Sequence, residues 1–578
     1  MLVAYYTDDT ITTKTFTLSG SDIVDGDTVY IYNSETDTET IFGVTYSLSE
    51  ETEAYNATDD TVTSSETLSY ADNSILSEST KDFFNRAINK KHTFRNENNA
   101  STELLTEYTY ADTSTTASNT VTGVENKLNG TTVSNYTYTY DNTGNITEIR
   151  NGTTLANKYV YDEAGQIIRE YNFINHKATE YLYDANGNIL SKTPFTNVTG
   201  SDLSTATQGT AITYSYDTSW TDKLVSYNGQ SIVYDSIGNP TTYRGATLTW
   251  NGRLLTSYEK GSDRYEYSYN EDGLRVEKKY YSNNTLNDVC TYVWENGKLI
   301  AQKKYVCPND DYFTITYLYD GEEAIGFVYD GLTFYYIKNI QGDVTAIAMA
   351  NNGKLALTVS YDAWGTPSYS IVVDDNAGVW EKLAAFLRAA GIMGLNNYTY
   401  RGYFYDLEIG LYYLQSRYYD PEVGRFINLD ETSIATATIG ETFGVNLFAY
   451  CGNNPVNNND SYGFWFSPIY SQYDSAVADL KVGSKPCYIK NVGCELVAIY
   501  NAMLYLNKAD SLKNIIKYAE NNHMLYLQSG VLGTNPAKIY KYLKYRNVKY
   551  SICDEPRIVF SCLMNNYYGI ITFTNKTF

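Results

Sequence analysis

The stretch from Arg401 to Asp430 reads RGYFYDLEIGLYYLQSRYYDPEVGRFINLD, and thirty residues further on comes the turn Asp460-Ser461-Tyr462-Gly463-Phe464. Six of the thirty residues in that stretch are tyrosine, and the whole chain shares the bias, with 61 Tyr against 10 Pro and 6 Met in 578 residues. Tyrosine together with abundant Thr, Asn and Gly favours many short strands joined by polar turns over packed helices. A chain of this length exceeds one hydrophobic core and divides into several units.

Upstream, from about Tyr136, a short motif recurs: YDNTGN at Tyr140, YDEAGQ at Tyr161, YDANGN at Tyr183, YDSIGN at Tyr234, YNEDGL at Tyr269 and YDAWGT at Tyr361. The first two steps are 21 and 22 residues; the later ones are 51, 35 and 92. Each copy reads as a hairpin turn in which the Asp side chain accepts from a backbone N–H two residues on, Gly supplies a positive φ and Tyr packs against the adjacent strand. One copy is only a turn. Six imply stacked hairpins, each burying a face against its neighbours. Residues 1–135 lack clear copies, but YIYNSETDTE and YSLSEETEAYN alternate as strands do and are expected to be degenerate repeats. Within 374–394, the spacing of Trp380, Leu383, Ala384, Leu387 and Ala390 predicts an amphipathic helix packed on the sheet.

The Arg401–Asp430 stretch, together with NLFAYCGNNPVNNNDSYGFW further on, resembles the core of RHS/YD-repeat proteins, and the similarity covers roughly residues 136–465. The resemblance implies a mainly β fold: a repeat sheet wound into a hollow cocoon, closed by the core and followed by a separately evolving cargo, usually a toxin. The expected division is 1–135 (degenerate repeats), 136–465 (repeats and core) and 466–578 (a small α+β cargo). The resemblance also implies that the chain cuts itself at Phe464–Trp465 by aspartyl-protease-like chemistry. Asp430 and Asp460 would be the carboxylates, and Arg417 would orient them or stabilise charge. Two close carboxylates cannot both ionise easily, so one can serve as acid while the other activates water. Ser461 stands where the family has proline, which leaves the turn before the bond less rigid. The plainer alternative is that both aspartates cap turns and Arg417 pairs with one of them.

Beyond Phe466 the pattern changes. Residues 466–578 hold 13 Lys and Arg against 7 Asp and Glu; with a whole-chain charge of −24, the tail carries about +6 and the remainder about −30. A basic cargo would be held by an acidic enclosure, although an acidic exterior also serves solubility. Leu496, Val497, Tyr500, Met503 and Leu504 form a helical stripe after Asn491-Val492-Gly493-Cys494, and Ser511 opens a second helix through Leu512, Ile515, Ile516 and Ala519. Cys494 therefore falls in a first helical turn, where the dipole and unpaired N–H groups favour a thiolate. GCELVAIYNAMLYL, SGVLGTNPAKIYKYLKYRNVKY and YYGIITFTN resemble papain-like toxin domains of the bacteriocin-processing-peptidase type, which implies Cys494 as nucleophile. Asn491 is a candidate oxyanion donor. No histidine follows His523, so three explanations compete, with the first leading: a peptidase fold cut before its catalytic His, a decayed cargo, or His523 as a substitute base. Cys487, Cys553 and Cys562 read as small buried hydrophobes.

Seven cysteines without a CxxC pair, and only His92, His176 and His523, imply neither a disulfide framework nor a metal site. No phosphate-binding or dinucleotide motif occurs, so no cofactor is expected. No apolar run reaches 18 residues, and no signal peptide is visible. The reading that follows is a polymorphic toxin, secreted or at the cell surface, with an immunity protein and secretion machinery as partners and no nucleic acid engaged. A nuclease cargo is the competing reading for the tail, one that its positive charge would suit. A different class of function is a cell-surface protein that binds carbohydrate through its tyrosine-rich sheet.

Overall fold

In the computed structural model, residues 52–372, 391–430 and 446–460 are described apart from short gaps, with the backbone of strands between 2 and 48 and parts of 481–546. The chain forms two compact units. The larger comprises Val24–Leu429 and Phe448–Gly463; the other comprises Met1–Ile23, Asp430–Leu447 and Phe464–Phe578.

The larger unit is built almost wholly of antiparallel strands that pair with their sequence neighbours, one run reaching Gln230–Ser231 and a second of fourteen strands running from Val233–Tyr234 to Pro367–Ile371. Tyr70, Ile75, Phe94, Leu104 and Leu128 of the first run pack with Ile300, Leu318, Ile325, Tyr335 and Ile337 of the second in one apolar core. Each such side chain contributes about 1.5–3 kcal/mol by leaving water. The sheet continues across residue 136, since Val121–Leu128 pairs on one side with Ser101–Tyr110 and on the other with Thr131–Tyr140.

The repeat turns work through their Asp. The Asp141 carboxylate accepts the N–H groups of Thr143 (2.8 Å) and Asn145 (2.9 Å), while its carbonyl accepts that of Gly144. Burial opposes its charge, but the donors from Thr143 and Asn145 outweigh that and bring its pKa down to about 2. Asp162, Asp184, Asp235 and Asp362 repeat the arrangement, and Asn270 does so as an amide. So does Asp82, which accepts from Phe84 and Arg86 well upstream of the first recognisable motif.

The motif tyrosine does more than pack. Tyr161, Tyr183, Tyr216, Tyr269, Tyr319 and Tyr361 each donate their hydroxyl, at 2.6–2.8 Å, to a carbonyl of an earlier strand: Ile146, Ile167, Ile189, Leu255, Leu299 and Val344 in turn. All but Tyr361 sit at a bulge that aims the ring along the sheet. Trp250 and Trp294 occupy bulges of the same kind and donate their indole N–H at 2.7 Å to Pro240 and Arg275. These rungs fill the long motif spacings: Tyr216 lies in the 51-residue gap, Trp250 in the 35-residue gap, and Trp294 and Tyr319 in the 92-residue gap.

The core segment adds a four-stranded antiparallel sheet of Phe404–Asp406, Leu411–Tyr413, Tyr418–Asp420 and Arg425–Phe426, all buried. It docks by polar contacts onto the turn ends. Asn454 reaches Asn145, Asn453 reaches Gln166, and Arg425 reaches Asn188, all at 2.9–3.0 Å. Asn457 accepts from the Ile146 N–H and donates to the Tyr161 hydroxyl. Arg275 of the long sheet pairs with Asp406 of the core at 2.7 Å.

Of the helix expected over 374–394, residues 391–394 are described and helical, with Ile392 buried, while Trp380, Leu383, Ala384, Leu387 and Ala390 lie outside the described residues. In the smaller unit, Lys481–Val482 pairs with Cys487–Tyr488. The helix Leu512–Asn521 buries Ile515, Ile516 and Ala519, the face read from the sequence. Leu496 and Ile499 are helical and fully buried. No helix among the described residues is long and apolar enough to cross a membrane.

Candidate self-cleavage site

Arg417 precedes the Tyr418–Asp420 strand and follows Gln415, whose φ of 61° turns the chain back between two core strands. Its guanidinium carbon lies 3.4 Å from the centroid of the Phe426 ring, and Nη2 donates to Asp460 Oδ2 at 3.0 Å. The two side chains are 1 % and 2 % exposed. Asp460 is approached through the polar run 451–458, where Asn454 donates its N–H to the Cys451 carbonyl and Asn458 to that of Asn454. The Asp460 N–H donates to the Tyr403 hydroxyl at 2.7 Å, and Tyr403 shares a further hydrogen bond with Tyr450 at 3.1 Å.

A desolvated, charge-assisted pair of this kind is strong only while both members are present. It holds a carboxylate at the end of the core, four residues before the expected scissile bond. Arg417 and Asp460 are therefore brought together. Asp430 is also buried, but it belongs to the smaller unit, where its N–H donates to the Leu447 carbonyl at 3.1 Å. Ser461, the Phe464–Trp465 bond, Asn491, Cys494, His523, Cys553 and Cys562 lie outside the described residues.

Tyr403, Tyr450 and Cys451 are the neighbours that sequence reasoning did not single out. Burial, reinforced by Cys451 and the Asp460 charge, pushes the Tyr403 hydroxyl up; burial and then Asp460 do the same to the Cys451 thiol. Both stay protonated near neutrality. The available signal was position: Tyr403 stands in RGYFYD, and Tyr450 and Cys451 in FAYCGN, inside the two motifs that also hold Arg417 and Asp460. Among the described residues Cys290, Cys307 and Cys451 are free thiols, and no group of three or more potential metal ligands occurs.

No family model matches the chain. It is 32% identical over 268 residues to the tRNA3(Ser)-specific nuclease WapA of Bacillus spizizenii, and 31% identical over 268 residues to the tRNA nuclease WapA of Bacillus subtilis. Each match covers 46% of this chain and 10% of the relative. The double-stranded DNA deaminase toxin A of Burkholderia cenocepacia is 24% identical over 371 residues, covering 59% of this chain and 23% of that protein. Among solved structures, the crystal structure of TcdB2-TccC3-TEV superposes with a TM-score of 0.51 and 17% identity over 73% of this chain and 23% of that one, a likeness of fold alone. The chain thus spans a tenth to about a quarter of the length of these relatives. The matches support the RHS toxin class that the core motifs imply, and none of them supports a papain-like tail.

Proposed function

We propose that this chain is the repeat-and-core portion of a polymorphic toxin whose β-rich enclosure holds a C-terminal effector and frees it by self-cleavage at Phe464–Trp465. The effector would act against competing cells, with an immunity protein and a delivery apparatus as partners, at the cell surface or after secretion. The observation that carries this reading is the buried Arg417–Asp460 pair, placed just before the expected bond in a chain similar to toxins. In this reading Arg417 holds the Asp460 carboxylate in place, and Asp430 supplies the second carboxyl. One carboxylate draws a proton from water while the other carboxyl protonates the departing amine, so that a water molecule adds across the peptide bond. Purified chain should yield a fragment beginning at Trp465, and Asp460→Asn or Asp430→Asn should abolish it. Wild-type chain that stays intact over days under native conditions counts against the reading, and Ser461→Pro then tells a disabled turn from an absent activity.

For the effector, two readings differ in chemistry. The papain-like one assigns Cys494 as nucleophile. The second, an effector acting on nucleic acid, is favoured by the relatives, which are tRNA nucleases and a double-stranded DNA deaminase, and by the +6 charge of residues 466–578. Alkylation of Cys494 separates them. If toxicity of the tail survives that modification while tRNA or duplex DNA is altered, the cysteine reading falls.

A further inference from the structure

The side chains of Tyr400, Arg401 and Tyr403, all in the turn at 400–403, reach the segment 455–460, which ends on Asp460. The Tyr400 hydroxyl donates to the Pro455 carbonyl at 3.0 Å. Arg401 Nη2 donates to that same carbonyl and, at 2.8 Å, to the carbonyl of Val456. At the far end the Tyr403 hydroxyl accepts the Asp460 N–H. The turn itself takes an unusual path. Arg401 and Gly402 both have positive φ, 55° and 68°, and the Tyr403 N–H closes the turn on the Tyr400 carbonyl at 2.8 Å. In a residue with a side chain, that conformation has to be enforced by its surroundings.

Arg401 is spent on the main chain. Its side chain is 3 % exposed, and among the described residues its guanidinium donates only to carbonyls: Gln341 (3.0 Å), Pro455 and Val456. Nε makes no hydrogen bond and stands 3.9 Å from Asp343 Oδ1, which takes the Arg401 N–H at 2.9 Å. Burying a cation without a hydrogen-bonded carboxylate is costly, so the return has to come from what its planar fork holds. Gln341 adds a second donor to Val456 at 2.8 Å. Beyond this grip the chain is closed on itself: Asn458 donates its N–H to the Asn454 carbonyl at 3.1 Å, and Asn457 is tied by its amide to Ile146 and Tyr161. A displacement at Val456 is therefore carried to Asp460.

We infer that the 400–403 turn is a template that sets where Asp460 stands, and that Arg401 is a positioning residue acting on Asp460 through Pro455 and Val456. Arg417 aims the carboxylate, and the template places the main chain that bears it. The consequence for cleavage rests on the self-cleavage reading above; the hold on Asp460 does not.

Hydrogen exchange at the Asn458 and Asp460 amides of the full chain reads that hold whether or not the bond is cut, with the Asn239 amide, bound within its own turn, as the control for folding. Arg401→Met should speed exchange at Asn458 and Asp460 by about tenfold or more and leave Asn239 unchanged. It should also slow cleavage at Phe464–Trp465 by about a hundredfold, the effect of a misplacement of about 1 Å. Arg401→Lys still donates to carbonyls and should recover most of both. If Arg401→Met does not fold, Gln341→Leu, which strips one donor from Val456, should give a smaller change of the same sign, and no change there overturns the template. Faster exchange at Asp460 in a chain whose wild-type and Ser461→Pro forms never cleave upholds the template and removes the self-cleavage reading. Faster exchange confined to the Gly342 and Asp343 amides overturns the template, because Arg401 then only fastens the core to its neighbouring turn. So does an Arg401→Met chain that cleaves at the wild-type rate.

Discussion

The Tyr403 hydroxyl takes the backbone N–H of Asp460 at 2.7 Å, so the aspartate that Arg417 holds by its side chain is also fixed by its main chain. Removing that oxygen leaves a buried N–H without its acceptor, which costs about 1–3 kcal/mol. Tyr403→Phe should therefore slow self-cleavage by about tenfold without moving the cut from Phe464–Trp465, whereas Asp460→Asn should stop it. The check is a time course on gels with N-terminal sequencing of the product. A Tyr403→Phe chain that cleaves at the wild-type rate would remove the main-chain hold from the account.

Arg275 and Asp406 tie the long sheet to the core at 1 % and 0 % exposure, and the guanidinium is ringed by Tyr267, Tyr292, Phe404 and Tyr413. Breaking a buried pair by removing one partner costs about 3–5 kcal/mol. Asp406→Asn should lose about that much in urea unfolding, and the paired change Arg275→Met with Asp406→Leu should recover most of it. Burial opposes the Asp406 charge, but Arg275 and Lys278 outweigh it and hold the carboxyl below its ordinary value of 3.8. Its contribution is thus present above the usual carboxylate range and is lost only as pH falls below it. A loss of stability near pH 6 in wild type but not in Asp406→Asn would contradict this.

The rungs offer a cleaner comparison. Tyr183→Phe and Trp294→Phe each remove one donor, to the Ile167 and Arg275 carbonyls respectively. Each should cost about 0.5–1.5 kcal/mol. The two are far apart in the repeat run, so the double variant should show the sum. Equal losses for Tyr and Trp would establish the two as the same structural element; a negligible loss for Trp294→Phe would make its hydrogen bond incidental.

What the sequence shows of this ladder follows from the range of each interaction. The Asp141, Asp162 and Asp184 turns are closed within five residues, and their logic is readable from YDxxG alone. The partner of each tyrosine lies some fifteen to thirty residues back, and the role passes to Trp250 and Trp294 without any motif to mark it. The same holds at the candidate site. Arg417 and Asp460 stand out by resemblance, but their hydrogen bond spans 43 residues and Tyr403 enters from 57 residues away. Local chemistry is legible; pairings made by the sheet's return are not.

Gly365 and Gly245 separate backbone strain from crowding. Both have positive φ, +93° and +79°, but a Cβ on Gly365 would meet Tyr400 Cδ1 at 2.5 Å while one on Gly245 meets nothing within 4 Å. Gly245→Ala should cost about 1–2 kcal/mol, the strain of a left-handed residue. Gly365→Ala should cost clearly more and should also accelerate exchange of the Trp364 amide. Equal melting temperatures for the two variants would mean that Tyr400 yields without consequence.

The amides of Asn453 and Asn454 and the guanidinium of Arg425 each address the last residue of a different turn: Gln166, Asn145 and Asn188. The core segment thereby acts as a gauge. Deleting one whole repeat between Asn145 and Asn188 would leave every remaining tyrosine with a carbonyl to reach, yet each address would then fall one turn out of step. Along this stretch the number of repeats is therefore metered by a short segment some 270 residues downstream, and gain or loss of repeats by duplication is tolerable only where that segment does not take its readings.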